Sequence, residues 1–143
     1  MCRTDLQILF YVYGFAGTGK STFGLLISYL VGEDATYTTS LKALKTDIFE
    51  IANLIGKKLV IINDTEKYSQ DLSILKAYVG GDSLRGRVMY TQGTTKVISE
   101  EFIIVIGNLP LSTRDNSNAI VRRRRPFKGN YVPEKKTKPN TKN

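Results

Sequence analysis

The chain has 143 residues, the length of one domain, and 41% of them are hydrophobic, which supports a buried core and excludes a disordered polypeptide. A single cysteine, Cys2, and the absence of histidine exclude an internal disulfide framework and a Cys/His zinc site, and fit a reducing compartment. The net charge is +8, yet residues 1–120 hold 12 Lys/Arg against 12 Asp/Glu, so the excess lies in residues 121–143.

A basic end of this kind can hold nucleic-acid phosphates through counterion release, or simply keep the chain soluble. The apolar runs are too short to span a bilayer, and no charged-then-apolar leader with a small-residue cleavage site opens the chain. The expectation is an intracellular, soluble protein of the cytoplasm, or of the interior of an organelle that encodes it, with no membrane partner.

In chain order, Gln7 to Tyr13 (QILFYVY) is a nearly continuous apolar run, as in a buried parallel strand. Gly14 to Gly19 breaks it. Lys20 to Val31 has helical spacing, with Phe23, Leu26, Ile27 and Leu30 as the expected core stripe and Gly32 as the stop. Asp34 to Thr39 reads as extended or loop. From Ser40, an N-cap, the positions Leu41, Leu44, Ile48, Ile51, Ala52 and Ile55 form one helical stripe with Gly56 past its end. Leu59 to Asn63 is a second buried strand. Leu72, Leu75, Ala77 and Tyr78 predict a short helix ended by Gly80 and Gly81. Leu84 to Ile98 alternates about Gln92-Gly93-Thr94 and predicts a β-hairpin. Phe102 to Ile106 is a third buried strand, followed by a polar loop to Asn118. The domain is expected to close at residue 127, leaving 128–143 as a basic, disordered tail. Strands alternating with helices imply an α/β three-layer domain around a mostly parallel central sheet, with a β-hairpin insertion.

The strongest signal is Gly14-Phe15-Ala16-Gly17-Thr18-Gly19-Lys20-Ser21, which fits G-x-x-x-x-G-K-[ST] at every position. Glycines let backbone N–H groups approach phosphates with no Cβ in the way. A helix starting at Lys20 points its positive end at the same anion. Lys20 adds a point charge for the β- and γ-phosphates, and the Ser21 hydroxyl is a ligand for Mg²⁺. The expected ATP-binding set is therefore Gly14, Phe15, Ala16, Gly17, Thr18, Gly19, Lys20, Ser21 and Thr22.

Such a loop needs a carboxylate on a second strand to hold the magnesium. Leu59-Val60-Ile61-Ile62-Asn63-Asp64 ends in an acid 44 residues after Lys20. Asp64 is expected on the metal, and Glu66 is a candidate to polarise the attacking water, although either could be a turn residue at a strand end. The third strand ends Ile106-Gly107-Asn108, and the Asn108 amide could orient that water, although Gly-Asn also begins turns. Arg122-Arg123-Arg124-Arg125 offers an arginine for the γ-phosphate of a neighbouring subunit, or a nucleic-acid or solvent-facing patch.

The succession of the loop, LVIIND, LKAYVGGDSLRGRVMY, a strand ending GNLP and AIVRRRRPF resembles the superfamily 3 helicases of the phage, plasmid and poxvirus-type primase-helicase family, over about residues 8–127. The most family-specific piece is Leu75 to Asp82 followed by Arg85 and Arg87. The resemblance implies an AAA+-like P-loop ATPase that assembles into a homo-oligomeric ring, usually a hexamer, with ATP between subunits and single-stranded or fork DNA as partner. A separate primase or oligomerisation subunit is a further expected partner. By position, the resemblance makes Asn108 the γ-phosphate sensor and Arg123 the arginine finger, with Arg122 the close alternative. It also places Lys76, Arg85, Arg87 and Lys96 on a DNA-facing or interface surface. The function so implied is an ATP-dependent DNA helicase in replication of a phage, plasmid or organellar element. The alternatives weighed are an ATP-binding remnant or split-protein fragment without helicase activity, and a P-loop kinase, for which no acceptor-binding lid is evident. No Asn-Lys-x-Asp guanine signature occurs, which argues against a GTPase.

Overall fold

The computed structural model describes residues 8–63, 72–90, 92–98, 100–109 and 119–134. Three strands carry the continuous apolar runs: β1 (Leu9–Gly14), β3 (Leu59–Asn63) and β6 (Phe102–Gly107). Helices α1 (Lys20–Val31), α2 (Leu41–Thr46), α3 (Ile48–Ala52), α4 (Ser73–Gly80) and α5 (Ala119–Arg123) lie between strands. Two more strands, β2 (Thr36–Ser40) and β7 (Arg124–Gly129), complete a five-stranded sheet in the order β2-β3-β6-β1-β7. Every pairing in it is parallel. The result is an α/β fold.

Position in the sheet explains composition. The three central strands are bonded on both sides and buried, so they read as Leu, Val, Ile and aromatics. The edges are polar: β2 is TYTTS and β7 is RRPFKG. Pro126, which cannot donate to a ladder, pairs with Tyr11 on the edge strand, where one side needs no donor. β2 falls in the stretch read as extended or loop, whereas β7 was not expected and continues to Gly129, past the boundary expected at 127.

The alternation of strand side chains divides the core. Leu9, Tyr11, Val60, Ile62, Ile103 and Val105 face one side and meet Leu41 and Leu44 of α2, Ile51 of α3, Leu75, Tyr78 and Val79 of α4, and Ile120 of α5. Val12, Leu59, Ile61, Ile104 and Ile106 face the other side, with Phe10 and Ile27 of α1 packed on them. Of the expected stripe on α1, Ile27 packs on the sheet as expected and the other three residues are corrected. The buried residues of α1 are Lys20, Gly24 and Ser28, while Phe23, Leu26 and Leu30 face outward, Leu30 being 75% exposed. Apolar period alone does not choose the face. Gly24 marks it, because a Cβ there would lie 2.8 Å from Ile106 Cδ1, so the glycine faces the sheet.

Two further expectations change. The single helix from Ser40 splits at Asp47, which leaves helical geometry (φ −115, ψ 111) and accepts a hydrogen bond from Phe49 N at 2.8 Å, capping a new helix. Ser40 does cap α2, accepting from Ala43 N at 3.1 Å. Among the described residues, the hairpin expected over 84–98 pairs only β4 (Leu84–Gly86) with β5 (Thr95–Val97), antiparallel. Toward the tip, Tyr90 takes the left-handed φ of 65. Arg87 N donates to Ile48 O at 3.0 Å, which seats the ribbon against α3. Among the described residues, no helix is long and apolar enough to cross a membrane.

Candidate functional site

Because the sheet is parallel, β1, β3 and β6 all end on the same edge of the domain. The crevice at the carboxyl ends of such strands is where α/β folds gather ligand contacts. Gly14 to Gly19 joins the end of β1 to the start of α1 there. Gly14, Gly17 and Gly19 take φ of 149, 85 and 81, values that disfavour a side chain. Gly19 is the N-cap of α1 and provides no side-chain cap, so the first N–H groups of the helix are left to other partners. Together with the helix dipole, they make the loop an electropositive cradle.

Lys20 deepens that character. Its ammonium is folded into the loop, donating to Gly14 O at 2.8 Å, Phe15 O at 2.6 Å and Thr18 Oγ1 at 3.3 Å. Lys20 is 8% exposed, a burial rare for lysine outside a purpose-built environment. Thr18 Oγ1 itself donates to Phe15 O at 2.9 Å, closing the loop on itself.

A cavity of about 530 Å³ lies against the loop, lined by Ala16, Gly17, Gly19, Lys20, Ser21 and Thr22 on one side and by Asn63, Ile106, Gly107 and Asn108 on the other. The structure thus brings together seven of the sequence-derived residues: Ala16, Gly17, Gly19, Lys20, Ser21, Thr22 and Asn108. Gly14, Phe15 and Thr18 hold the lysine from behind. No carboxylate lines the cavity among the described residues, which leaves Lys20 as its one formal charge. Asp64 and Glu66 lie outside the described residues, but Asn63, which precedes Asp64, is at the cavity wall. Arg122 and Arg123, in the last turn of α5, are not among the lining residues of their own chain. The Arg123 guanidinium packs instead on α4, with Nη1 3.2 Å from where a Cβ on Gly80 would stand.

Four contributors escaped sequence reading. Asn63 is a cavity residue whose only signal is a polar end to an apolar strand. Tyr11, 1% exposed, donates its hydroxyl to Leu109 O and so ties down the exit of β6 beside Asn108. Gly107 makes room for that tyrosine, since a Cβ there would lie 2.6 Å from Tyr11 Oη. The fourth is Gly129, which pairs with Gly14 at the end of β7.

Away from the cavity, Arg85 and Lys96 are direct partners across the β4–β5 ladder, and both are exposed. Like charges placed opposite one another cost stability. Arg87 is exposed close by, while Lys76 on α4 is half-buried.

The fold has solved counterparts. An A-form apo structure of the C-terminal region of NrS-1 superposes with a TM-score of 0.70 at 18% identity, covering 89% of this chain and 30% of that one. Two further apo structures of that region, residues 305–718, give TM-scores of 0.66 and 0.65 at 18% identity, again with 89% of this chain covered. The chain therefore spans about 30% of the length of these neighbours, and at this identity the likeness shows the fold. At the level of sequence, a model of the family of unknown function DUF5906 matches residues 12–125. With most of its length inside that match, the chain belongs to the DUF5906 family.

Proposed function

We propose that this domain binds and hydrolyses ATP as a motor ATPase of the superfamily 3 helicase type, acting on DNA during replication of a phage, plasmid or organellar element. The observation that carries this reading is convergence on one cavity. An uncapped helix start, a buried lysine and the polar ends of two strands, Asn63 and Asn108, meet at the edge of a parallel sheet.

The chemistry follows from these groups. Loop N–H groups and the α1 terminus bind the phosphates, and Lys20 leaves its loop carbonyls to meet the β- and γ-phosphates. The donor set suits Mg²⁺, which the Ser21 hydroxyl and Asp64 would hold; when bound, it would neutralise charge on the phosphate oxygens. Asp64 or Glu66 accepts a proton from the attacking water, and Asn108 orients that water against the γ-phosphate. Among the described residues, no arginine of the chain lines the site. Arg123, or Arg122, on the far side of the domain is suited to reach the cavity of a neighbouring copy, as in a hexameric ring. The opposed cations Arg85 and Lys96 support a DNA contact, because an anionic backbone between them turns a repulsion into two attractions.

The test is ATPase activity with and without single-stranded DNA for wild type and Lys20→Ala. Wild type is expected to be DNA-stimulated, with a rate rising more than linearly with protein concentration. The variant is expected to lose at least about tenfold, since one or two kcal/mol of transition-state stabilisation is a modest contribution for that lysine. Turnover that ignores DNA and requires a small-molecule acceptor would contradict the motor reading.

A further inference from the structure

The glycine loop has two flanks, and they differ in chemistry. Toward β6 and β3 it faces the cavity and its asparagines. Toward β7 it is crossed by the chain that leaves that strand. Gly14 pairs with Gly129, and a Cβ on Gly129 would lie 2.8 Å from Thr18 Oγ1. Three residues further on, Val132 Cγ1 lies 3.3 Å from where a Cβ on Gly17 would stand. Residues 129–132 therefore form a strap along loop residues 14–18, in a stretch that composition alone assigns to a tail.

The strap puts large apolar side chains in water beside the phosphate cradle. Phe15 is 76% exposed, Tyr131 75% and Val132 50%. Single exposed apolar residues are ordinary, but Phe15 belongs to the loop, and Tyr131 and Val132 belong to the strap that crosses it, which places all three along one stretch of chain suited to contact a ligand. This inference rests on the ATP reading, which supplies a direction. With the γ-phosphate end of the nucleotide toward Asn63 and Asn108, the nucleoside end leaves the loop on the opposite flank, where the strap lies. An aromatic ring there offers a stacking face to any base. We propose that Tyr131, carried by the strap, stacks on the nucleobase of the bound nucleoside triphosphate.

Titration calorimetry of the full chain with Mg·ATP and with Mg·tripolyphosphate separates base from phosphate binding. Tyr131→Ala is expected to weaken ATP at least about fivefold, the low end of a base–aromatic stack, and to leave tripolyphosphate unchanged. Tyr131→Trp is expected to restore ATP affinity. Unchanged ATP affinity in Tyr131→Ala overturns the stacking role while leaving the phosphate site standing. Equal weakening of both ligands also overturns it, since the strap would then act by shaping the loop. A wild-type protein that binds neither ligand takes down the ATP reading itself.

Discussion

Replacing Gly14 by alanine tests how tightly the loop is bound to the edge strand. The new methyl would lie 2.4 Å from the Gly129 carbonyl oxygen and 3.1 Å from its nitrogen, in a backbone at φ 149. Both obstacles are main chain, fixed by the β1–β7 register, so no rotamer change relieves them. Overpacking of this kind costs about 1–3 kcal/mol, and a residue held at a sparsely populated φ costs about as much again. Gly19→Ala is the matched control. Its φ of 81 carries the strain, but nothing lies within 4 Å of the added methyl, so about 1–2 kcal/mol is expected. Urea unfolding without nucleotide reads the difference, with Gly14→Ala less stable by at least about 1 kcal/mol. Equal stabilities would refute the packing of β7 against the loop, and with it the geometry of the strap.

Other consequences are independent of that contact. Gly107→Ala pushes a methyl against the Tyr11 hydroxyl, whose ring is buried and cannot swing away; about 1–3 kcal/mol of stability should be lost, and Tyr11→Phe combined with Gly107→Ala should recover part of it in the same urea assay. Arg85→Ala removes one of two opposed cations, so thermal stability should hold or rise by a few tenths of a kcal/mol, while the salt dependence of single-stranded DNA binding should flatten by about 0.7 in log–log slope. Loss of stability without any change in that slope would refute the DNA role. Inactive Arg123→Ala mixed with inactive Lys20→Ala should regain partial ATPase activity, because one intact site can form at a mixed interface; no recovery would place the arginine's action within its own chain.

How far composition and pattern foretold the molecule depended on the kind of signal each part carries. The central strands announced themselves as apolar runs because both of their faces are covered. The loop was legible because its constraint is chemical, with glycines and a lysine at fixed spacing. The edge strand β7 was not, and β2 was legible only as extended or loop. Their pairing energy is a backbone ladder to a distant strand, which leaves no mark on Thr36–Ser40 or Arg124–Gly129. Helical period showed that α1 is a helix but not which side it buries, since Gly24 and Ser28 win the sheet by being small rather than apolar. Asp47 likewise breaks an apolar stripe through its own side-chain hydrogen bond, a local effect that hydrophobic spacing cannot register. Asn63 gained its meaning only from the parallel sheet, which puts the end of β3 beside the loop that follows β1.

The most direct measurement of the proposal is a calorimetric titration of Mg·ATP into wild type and Lys20→Met. Saturable binding by wild type, weakened more than about tenfold by loss of the ammonium, is the predicted outcome. Equal affinity in both proteins, or no heat of binding in either, would contradict a cradle built around Lys20.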